Sequence, residues 1–123
     1  MDLKDLEIYK LAREISRCAW EVYSRFDWQT KKVIGDQYIT AIDSVGANIA
    51  EGFGRFHFLD KNKFNYQARG SLVESKYWVD LLSERNLITS EEGKWLRERL
   101  ERLGVKLSNY IASTRDHHAN KDS

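Results

Sequence analysis

The side chains that most strongly suggest chemistry lie in the stretch DSVGANIAEGFGR, which runs from Asp43 to Arg55. Four polar residues recur there at spacings of four, three and four, which is the helical period: Ser44, Asn48, Glu51 and Arg55. Three glycines lie among them. The stretch is therefore either a loop that binds phosphate or another ligand, or a polar stripe on a helix whose small residues let neighbouring helices approach closely.

The residue types favour the structural interpretation, although a site for RNA or a ligand stays open. No strand precedes the glycines and no Gly-Lys-Ser/Thr sequence is present, so a phosphate-binding loop is not predicted. Gly46 and Gly70 are predicted to lie at similar heights on adjacent helices and to reduce the bulk between them. A buried carboxylate at Glu51 needs a cationic partner, for which Arg55 and Arg69 are the candidates. The predicted polar cluster consists of Ser44, Asn48, Glu51, Arg55 and Arg69.

Two groups of basic residues form the second candidate site, and aromatic side chains border each group. One group is Lys10, Arg13 and Arg17 beside Tyr9 and Trp20; the other is Arg99, Arg102 and Lys106 beside Trp95. The groups fall at matching heights if the first and last helices are antiparallel. Cations interleaved with aromatic rings suit phosphate contact and base stacking, so these six cations are the predicted nucleic-acid-binding residues. An ordinary solvated face, with the aromatic rings buried between subunits, is the alternative.

The remaining reactive residues do not form a recognisable catalytic or metal site. His57 lies in a predicted turn and His117 and His118 lie in the C-terminal tail, without the converging ligands that a metal ion needs. Ser44 and Ser71 have no histidine placed to activate them as nucleophiles. The sequence therefore predicts no metal, no cofactor and no enzymatic activity.

Composition predicts a soluble protein with one domain. The 123 residues include 20 Lys and Arg against 19 Asp and Glu, a net charge of +1, so attraction for nucleic acid must come from local patches. The single cysteine, Cys18, fits a reducing compartment. The sequence lacks the pattern of a signal peptide and any apolar run near the ~18 residues that a membrane span needs. These features predict a cytoplasmic protein without membrane contact.

Four amphipathic segments must position the candidate residues. Apolar residues recur with the helical period in residues 3–26, in residues 30–53 after a predicted N-cap at Thr30, in a segment that begins at Asp60, and in one that opens with the capping box of Thr89 and Glu92. The chain has no proline and no alternation with period two. We therefore expect an all-α chain folded as an antiparallel up-and-down four-helix bundle over residues 1–114. Residues 115–123 lack an apolar pattern and are predicted to be a disordered tail.

The stretch SVGANIAEGFGR, followed by ARGSLVE at residues 68–74, resembles the signature of the four-helix bundle protein family. These proteins are also called large-subunit rRNA intervening-sequence proteins, and a related branch is the accessory variability protein of diversity-generating retroelements. The family pattern reads Ser-Ile/Val-Pro-x-Asn-Ile-Ala-Glu-Gly-x-Gly-Arg, then Ala-Arg-Gly-Ser-Leu-x-Glu. Gly46 stands where the family commonly has proline, so the kink that proline would impose is not expected here.

The resemblance implies a homopentamer and a function without catalysis. In the retroelement branch, a basic pentamer binds a reverse transcriptase and its template RNA. By this analogy the chain is a nucleic-acid-associated accessory protein that binds structured RNA, a reverse transcriptase, or both. The alternative is a homo-oligomeric scaffold or protein-interaction module without affinity for nucleic acid. The near-neutral charge favours that alternative, because the RNA-binding branch should be strongly basic.

Overall fold

The computed structural model describes residues 1–122, and it describes side-chain burial for residues 1–120. A short 3-10 turn, Leu3–Asp5, precedes five helices: α1 (Glu7–Ser24), α2 (Trp28–Thr30), α3 (Asp36–Phe53), α4 (Phe58–Glu84) and α5 (Ser90–Asp122). A π-helical turn, Lys31–Gly35, joins α2 to α3, so residues 28–53 form one helical run. No strand occurs within the described residues. The predicted all-helical class is confirmed.

Four long helices surround one apolar core. α1 packs against α3 and α5, and α4 packs against the same two helices on the other side. Each helix buries the apolar stripe that its sequence predicts, with residues such as Ile15, Tyr38, Leu72 and Leu103 almost completely removed from solvent. This burial supplies the main favourable term in folding, because apolar surface is removed from water along the whole length of the bundle.

The residues that begin the helices agree only partly with the sequence prediction. Thr89 and Glu92 form the predicted capping box: the Glu92 backbone N–H donates to the Thr89 hydroxyl at 3.0 Å, and the Thr89 N–H donates to the Glu92 carboxylate at 2.9 Å. The predicted cap at Thr30 and the predicted start of the third segment at Asp60 are wrong. Asp27 caps the second helical run by accepting from the Thr30 N–H at 2.8 Å, and Asp60 lies inside the first turn of α4.

The C-terminal segment differs from its prediction. α5 continues to Asp122, so residues 115–122 are helical rather than disordered, and the predicted domain boundary at residue 114 falls inside a continuous helix. No proline or glycine interrupts the sequence beyond Gly104. In addition, the ring of His118 stacks on the ring of Phe58, with centroids 4.0 Å apart, which ties this extension to the start of α4. Ser123 lies outside the described residues.

The glycines of the DSVGANIAEGFGR stretch permit close helix approach, but not through the predicted pair. A Cβ at Gly46 would lie 3.6 Å from the Cβ of Ala12 on α1, whereas Gly70 faces open space on the outer side of α4. The close contact between α3 and α4 lies at Gly52. A Cβ there would come within 3.1 Å of the Asn65 side-chain oxygen. Gly46 and Gly70 therefore do not face each other, because Gly70 lies on the side of α4 turned away from the core.

Candidate nucleic-acid interface

The polar stripe on α3 is a set of local contacts rather than a desolvated cluster. The Asn48 side chain donates to the Ser44 carbonyl oxygen at 2.9 Å, within the same helix. Glu51 pairs with Arg55 one turn further on, at 3.2 Å, and the Glu51 side chain is 58% exposed. An exposed pair of this kind contributes about 0–1 kcal/mol to stability.

Arg69 does not join this stripe. Its guanidinium carbon lies 4.7 Å from the centroid of the Tyr66 ring, on the exposed side of α4. Of the two candidate partners for Glu51, Arg55 is the one that the structure supplies. Glu51 is exposed, so it does not need the second cation that a buried carboxylate would require. The five residues of the predicted cluster therefore do not form one site.

Four of the six predicted basic residues line one open groove between α1 and α5. This groove, which we call the basic groove, has a volume of about 480 Å³ and is lined by Lys10 and Arg17 of α1, by Arg102 and Lys106 of α5, and by the carboxylates of Glu7 and Glu14. The two sequence groups are thus brought together across a helix contact. Lys10, Arg17 and Arg102 are exposed and belong to no ion pair within residues 1–120.

Ion pairs between α1 and α5 engage the carboxylates of the basic groove. The Lys106 ammonium donates to Glu7 at 2.7 Å; this hydrogen bond, together with the charge of Lys106, holds the pKa of Glu7 below its ordinary value. The Nε of Arg99 lies 3.5 Å from Glu14, a distance of charge attraction rather than of a well-formed hydrogen bond. At the far end of the same helix pair, Arg25 is ion-paired with Glu92. Lys106 and Arg99 therefore hold the helices together as well as adding positive charge.

Arg99 and Arg13 do not line the basic groove. The guanidinium of Arg99 stacks over Trp95, 4.0 Å from the ring centroid, and its side chain is only 25% exposed. Arg13 donates to the Tyr9 hydroxyl at 2.9 Å and faces the opposite flank of α1. The six cations therefore do not form one continuous patch.

A second groove lies between α1 and α3 and brings together residues that helical spacing alone does not group. This α1–α3 groove has a volume of about 600 Å³. Its α1 side is formed by Tyr9, Arg13, Ser16, Arg17, Trp20 and Glu21, and its α3 side by Asp43, Gly46, Ala47 and Ala50. The sequence does show small residues that recur at helical spacing on α3. This spacing alone does not predict a groove, because it does not show which helix packs beside these residues.

The other reactive side chains of the described residues form no metal-binding group. Among the residues that the structure describes, no three histidine, cysteine, aspartate or glutamate side chains converge as ligands of a metal ion would. Burial raises the pKa of the Cys18 thiol above its ordinary value, which disfavours the reactive thiolate. No helix within the described residues is long and apolar enough to cross a membrane.

Comparison with known protein families finds one that matches most of the chain. Residues 4–109 match the family described as 23S rRNA-intervening sequence protein. The chain belongs to this family. The matched span contains every residue named above in the two grooves and in the polar stripe. The family resemblance predicted from the SVGANIAEGFGR and ARGSLVE motifs is therefore confirmed.

A solved structure of similar fold comes from Bacteroides thetaiotaomicron and is described as a protein of unknown function from the S23 ribosomal protein family. The TM-score is 0.79 at 22% sequence identity, and the match covers 85% of this chain and 97% of that one. No curated protein matches the chain. At this identity the likeness establishes the fold of this rRNA-intervening sequence family member and carries no information on its partner.

Proposed function

We propose that this family member is a non-catalytic accessory protein that binds structured RNA, alone or together with a reverse transcriptase, through its basic groove. The observation that carries the proposal is the convergence of Lys10, Arg17, Arg102 and Lys106 on one open groove. They come from two helices that are far apart in sequence. Cations that line an accessible groove attract the phosphate backbone of a nucleic acid.

The charge balance within the basic groove supports phosphate binding, although the net charge of the whole protein is close to zero. The net charge of the chain is only +1. Within the groove, however, the two carboxylates are already engaged, Glu7 by Lys106 and Glu14 by Arg99. Lys10, Arg17 and Arg102 are left to meet an incoming phosphate. Local positive charge of this kind directs binding even where the overall field is weak.

We also propose that the bundle is antiparallel and assembles as a homopentamer. Antiparallel packing of α1 and α5 is supported by their ion pairs, because Glu7, Glu14 and Arg25 meet Lys106, Arg99 and Glu92 in reverse order of sequence. Assembly is supported by large apolar side chains that one chain leaves exposed, among them Val73, Tyr77 and Val105. A five-fold array of basic grooves would strengthen a weak RNA contact through avidity.

The mass of the protein in solution tests the assembly. Light scattering at micromolar concentration is expected to return about five times the 14.5 kDa of one chain. A stable monomer would overturn the proposed pentamer and leave the exposed valines without a subunit partner. The RNA proposal would then depend on single grooves alone.

The alternative function is a homo-oligomeric scaffold or protein-interaction module without affinity for nucleic acid. A specific observation favours it: Val73 of α4 and Val105 of α5 border a groove of about 520 Å³ between these two helices, which shares no lining residue with the basic groove. Exposed apolar patches of this kind commonly mark contacts with proteins. A scaffold would use this face and would have no need of unpaired cations between α1 and α5.

A salt titration of RNA binding separates the two functions. We expect the affinity for a hairpin RNA to fall linearly on a plot of log affinity against log salt, with a slope of about −2 to −3 for each bound groove. That slope corresponds to counterions released by Lys10, Arg17 and Arg102, the three cations without ion pairs. The measurement is fluorescence anisotropy with a labelled hairpin. Absence of binding even at low salt would favour the scaffold.

A further inference from the structure

The α1–α3 groove differs in character from the basic groove. It is walled by the aromatic rings of Tyr9 and Trp20 and floored by the small residues Gly46, Ala47 and Ala50. Trp20 remains 57% exposed, which is unusual for the largest apolar side chain. A volume of about 600 Å³ lies within the range of sites that hold small organic groups.

The Trp20 ring is held in place, and it remains accessible. It stacks on Tyr23 with centroids 5.3 Å apart and an angle of 27° between the planes. Tyr23 is itself fixed, because its hydroxyl donates to Asp36 of α3 at 2.5 Å. An ordered aromatic ring beside a floor of small side chains is a platform on which another planar group can stack at little entropic cost.

Charged groups of both signs are placed around this platform. Arg13 and Arg17 lie one turn apart on α1, Glu21 follows Arg17 by one further turn, and all three are exposed. Asp43 lies on α3 between Tyr38, which contacts Ala19 of α1, and Gly46, which faces Ala12. The Asp43 carboxylate therefore stands across the groove from the stretch of α1 that carries the arginines. Asp43 belongs to no ion pair within residues 1–120.

We propose that the α1–α3 groove binds one unpaired nucleotide of an RNA chain. The base stacks on Trp20, a phosphate contacts Arg13 and Arg17, and the Asp43 carboxylate accepts a hydrogen bond from an exocyclic amino group of the base. One nucleotide supplies a partner for each part of the groove. Its planar base matches the ring, its phosphate matches the cations, and its amino group matches the carboxylate. This inference rests on the proposed RNA function and adds the feature that is recognised, namely a base exposed in a loop or bulge.

Arg17 links the two grooves. It lines both the basic groove and the α1–α3 groove, since it projects from the ridge of α1 between them. An RNA backbone held by Lys10 and Arg102 can therefore continue past Arg17 and place an unpaired base on Trp20. The basic groove supplies affinity that is independent of sequence, and the α1–α3 groove supplies discrimination.

The test compares the Trp20→Ala variant with the wild type on single-stranded and on blunt duplex RNA. Loss of one stacked base is expected to weaken single-strand binding roughly 5- to 150-fold and to leave duplex binding unchanged. Trp20→Phe is the matched control, because it keeps an aromatic face and should retain most of the affinity. Equal binding of single strands by wild type and Trp20→Ala would overturn the inference.

Oligocytidine and oligouridine strands of equal length test the role of Asp43. At position 4, cytosine has the amino group from which the proposed contact accepts, whereas uracil has a carbonyl oxygen there and keeps only its N3–H as a donor. Wild type is expected to prefer oligocytidine, and Asp43→Asn is expected to lose that preference. An unchanged preference in this variant would contradict the assignment of Asp43.

The same experiments separate failure of this inference from failure of the proposed function. RNA binding that depends on the basic groove but is insensitive to Trp20 would overturn the nucleotide site alone. No binding of any RNA by wild type would overturn both. The solution mass of Trp20→Ala is measured as well; a change in mass would identify the α1–α3 groove as a contact between subunits and would overturn the nucleotide site.

Discussion

Reversing two charges in the basic groove, with Lys10→Glu and Arg102→Glu combined, is expected to weaken hairpin RNA binding by about 100-fold or more at physiological salt. Each substitution removes a charge-assisted phosphate contact, which contributes about 1.5–3 kcal/mol, and replaces it with repulsion. Lys10 and Arg102 line the basic groove from opposite helices. The measurement is anisotropy of the labelled hairpin at fixed ionic strength.

Lys10 and Arg102 are preferred to Lys106 for this test because neither of them joins an ion pair between α1 and α5 within residues 1–120. Lys106 is ion-paired with Glu7, so its reversal would also place two carboxylates together between α1 and α5. Lys10 and Arg102 join no ion pair within residues 1–120, and changes at such exposed sites alter the free energy of unfolding by only about 0.5 kcal/mol. Helical content and solution mass should therefore match those of wild type.

The matched control is the double variant Lys32→Glu with Lys63→Glu. These two exposed lysines lie outside both grooves, and their reversal changes the net charge by the same amount. If binding depends on the basic groove, this control should retain most of its affinity. Equal losses in the two double variants would indicate attraction to overall charge and would remove the basic groove as a site.

The second large effect concerns stability: Tyr38→Ala is expected to lower the free energy of unfolding by about 3–5 kcal/mol, as for other buried aromatic side chains. Tyr38 has no exposed surface, and its hydroxyl donates to the Ala19 carbonyl oxygen of α1 at 3.1 Å. Its ring also contacts Phe26, with centroids 6.2 Å apart. Removal would leave a cavity at the contact between α1 and α3. Burial raises the pKa of Tyr38 above its ordinary value.

Urea denaturation at matched protein concentration measures this loss, and Tyr38→Phe separates its two causes. The phenylalanine variant keeps the ring and loses only the hydrogen bond to Ala19, so a loss of about 1 kcal/mol is expected. A loss below about 1 kcal/mol in Tyr38→Ala would show that α1 and α3 can close around the missing ring. Such a result would contradict the tight packing described here.

The sequence by itself determined the helices and the side of each that faces the core. Ile15, Ile42, Leu72 and Leu103 lie at the helical period of apolar residues in the four segments, and each is buried. The capping box of Thr89 and Glu92 was equally predictable. These features depend on neighbours within about four residues along one helix, so the helical period is sufficient to predict them.

Helical spacing could not determine which side chains meet across helices. It placed Lys10, Arg13 and Arg17 together, yet the packing of α1 between α3 and α5 directs Arg13 into one groove and Lys10 into the other. It did not predict that Gly46 faces α1, or that Arg69 points to solvent.

These arrangements depend on the rotation of each helix about its own axis and on its height relative to its neighbours. Both are set by how buried side chains from separate helices fit together. The period of one helix defines its faces and carries no information on what lies opposite them. The small residues of α3 form the floor of a groove because α1 lies beside them. Only the tertiary structure decided this arrangement.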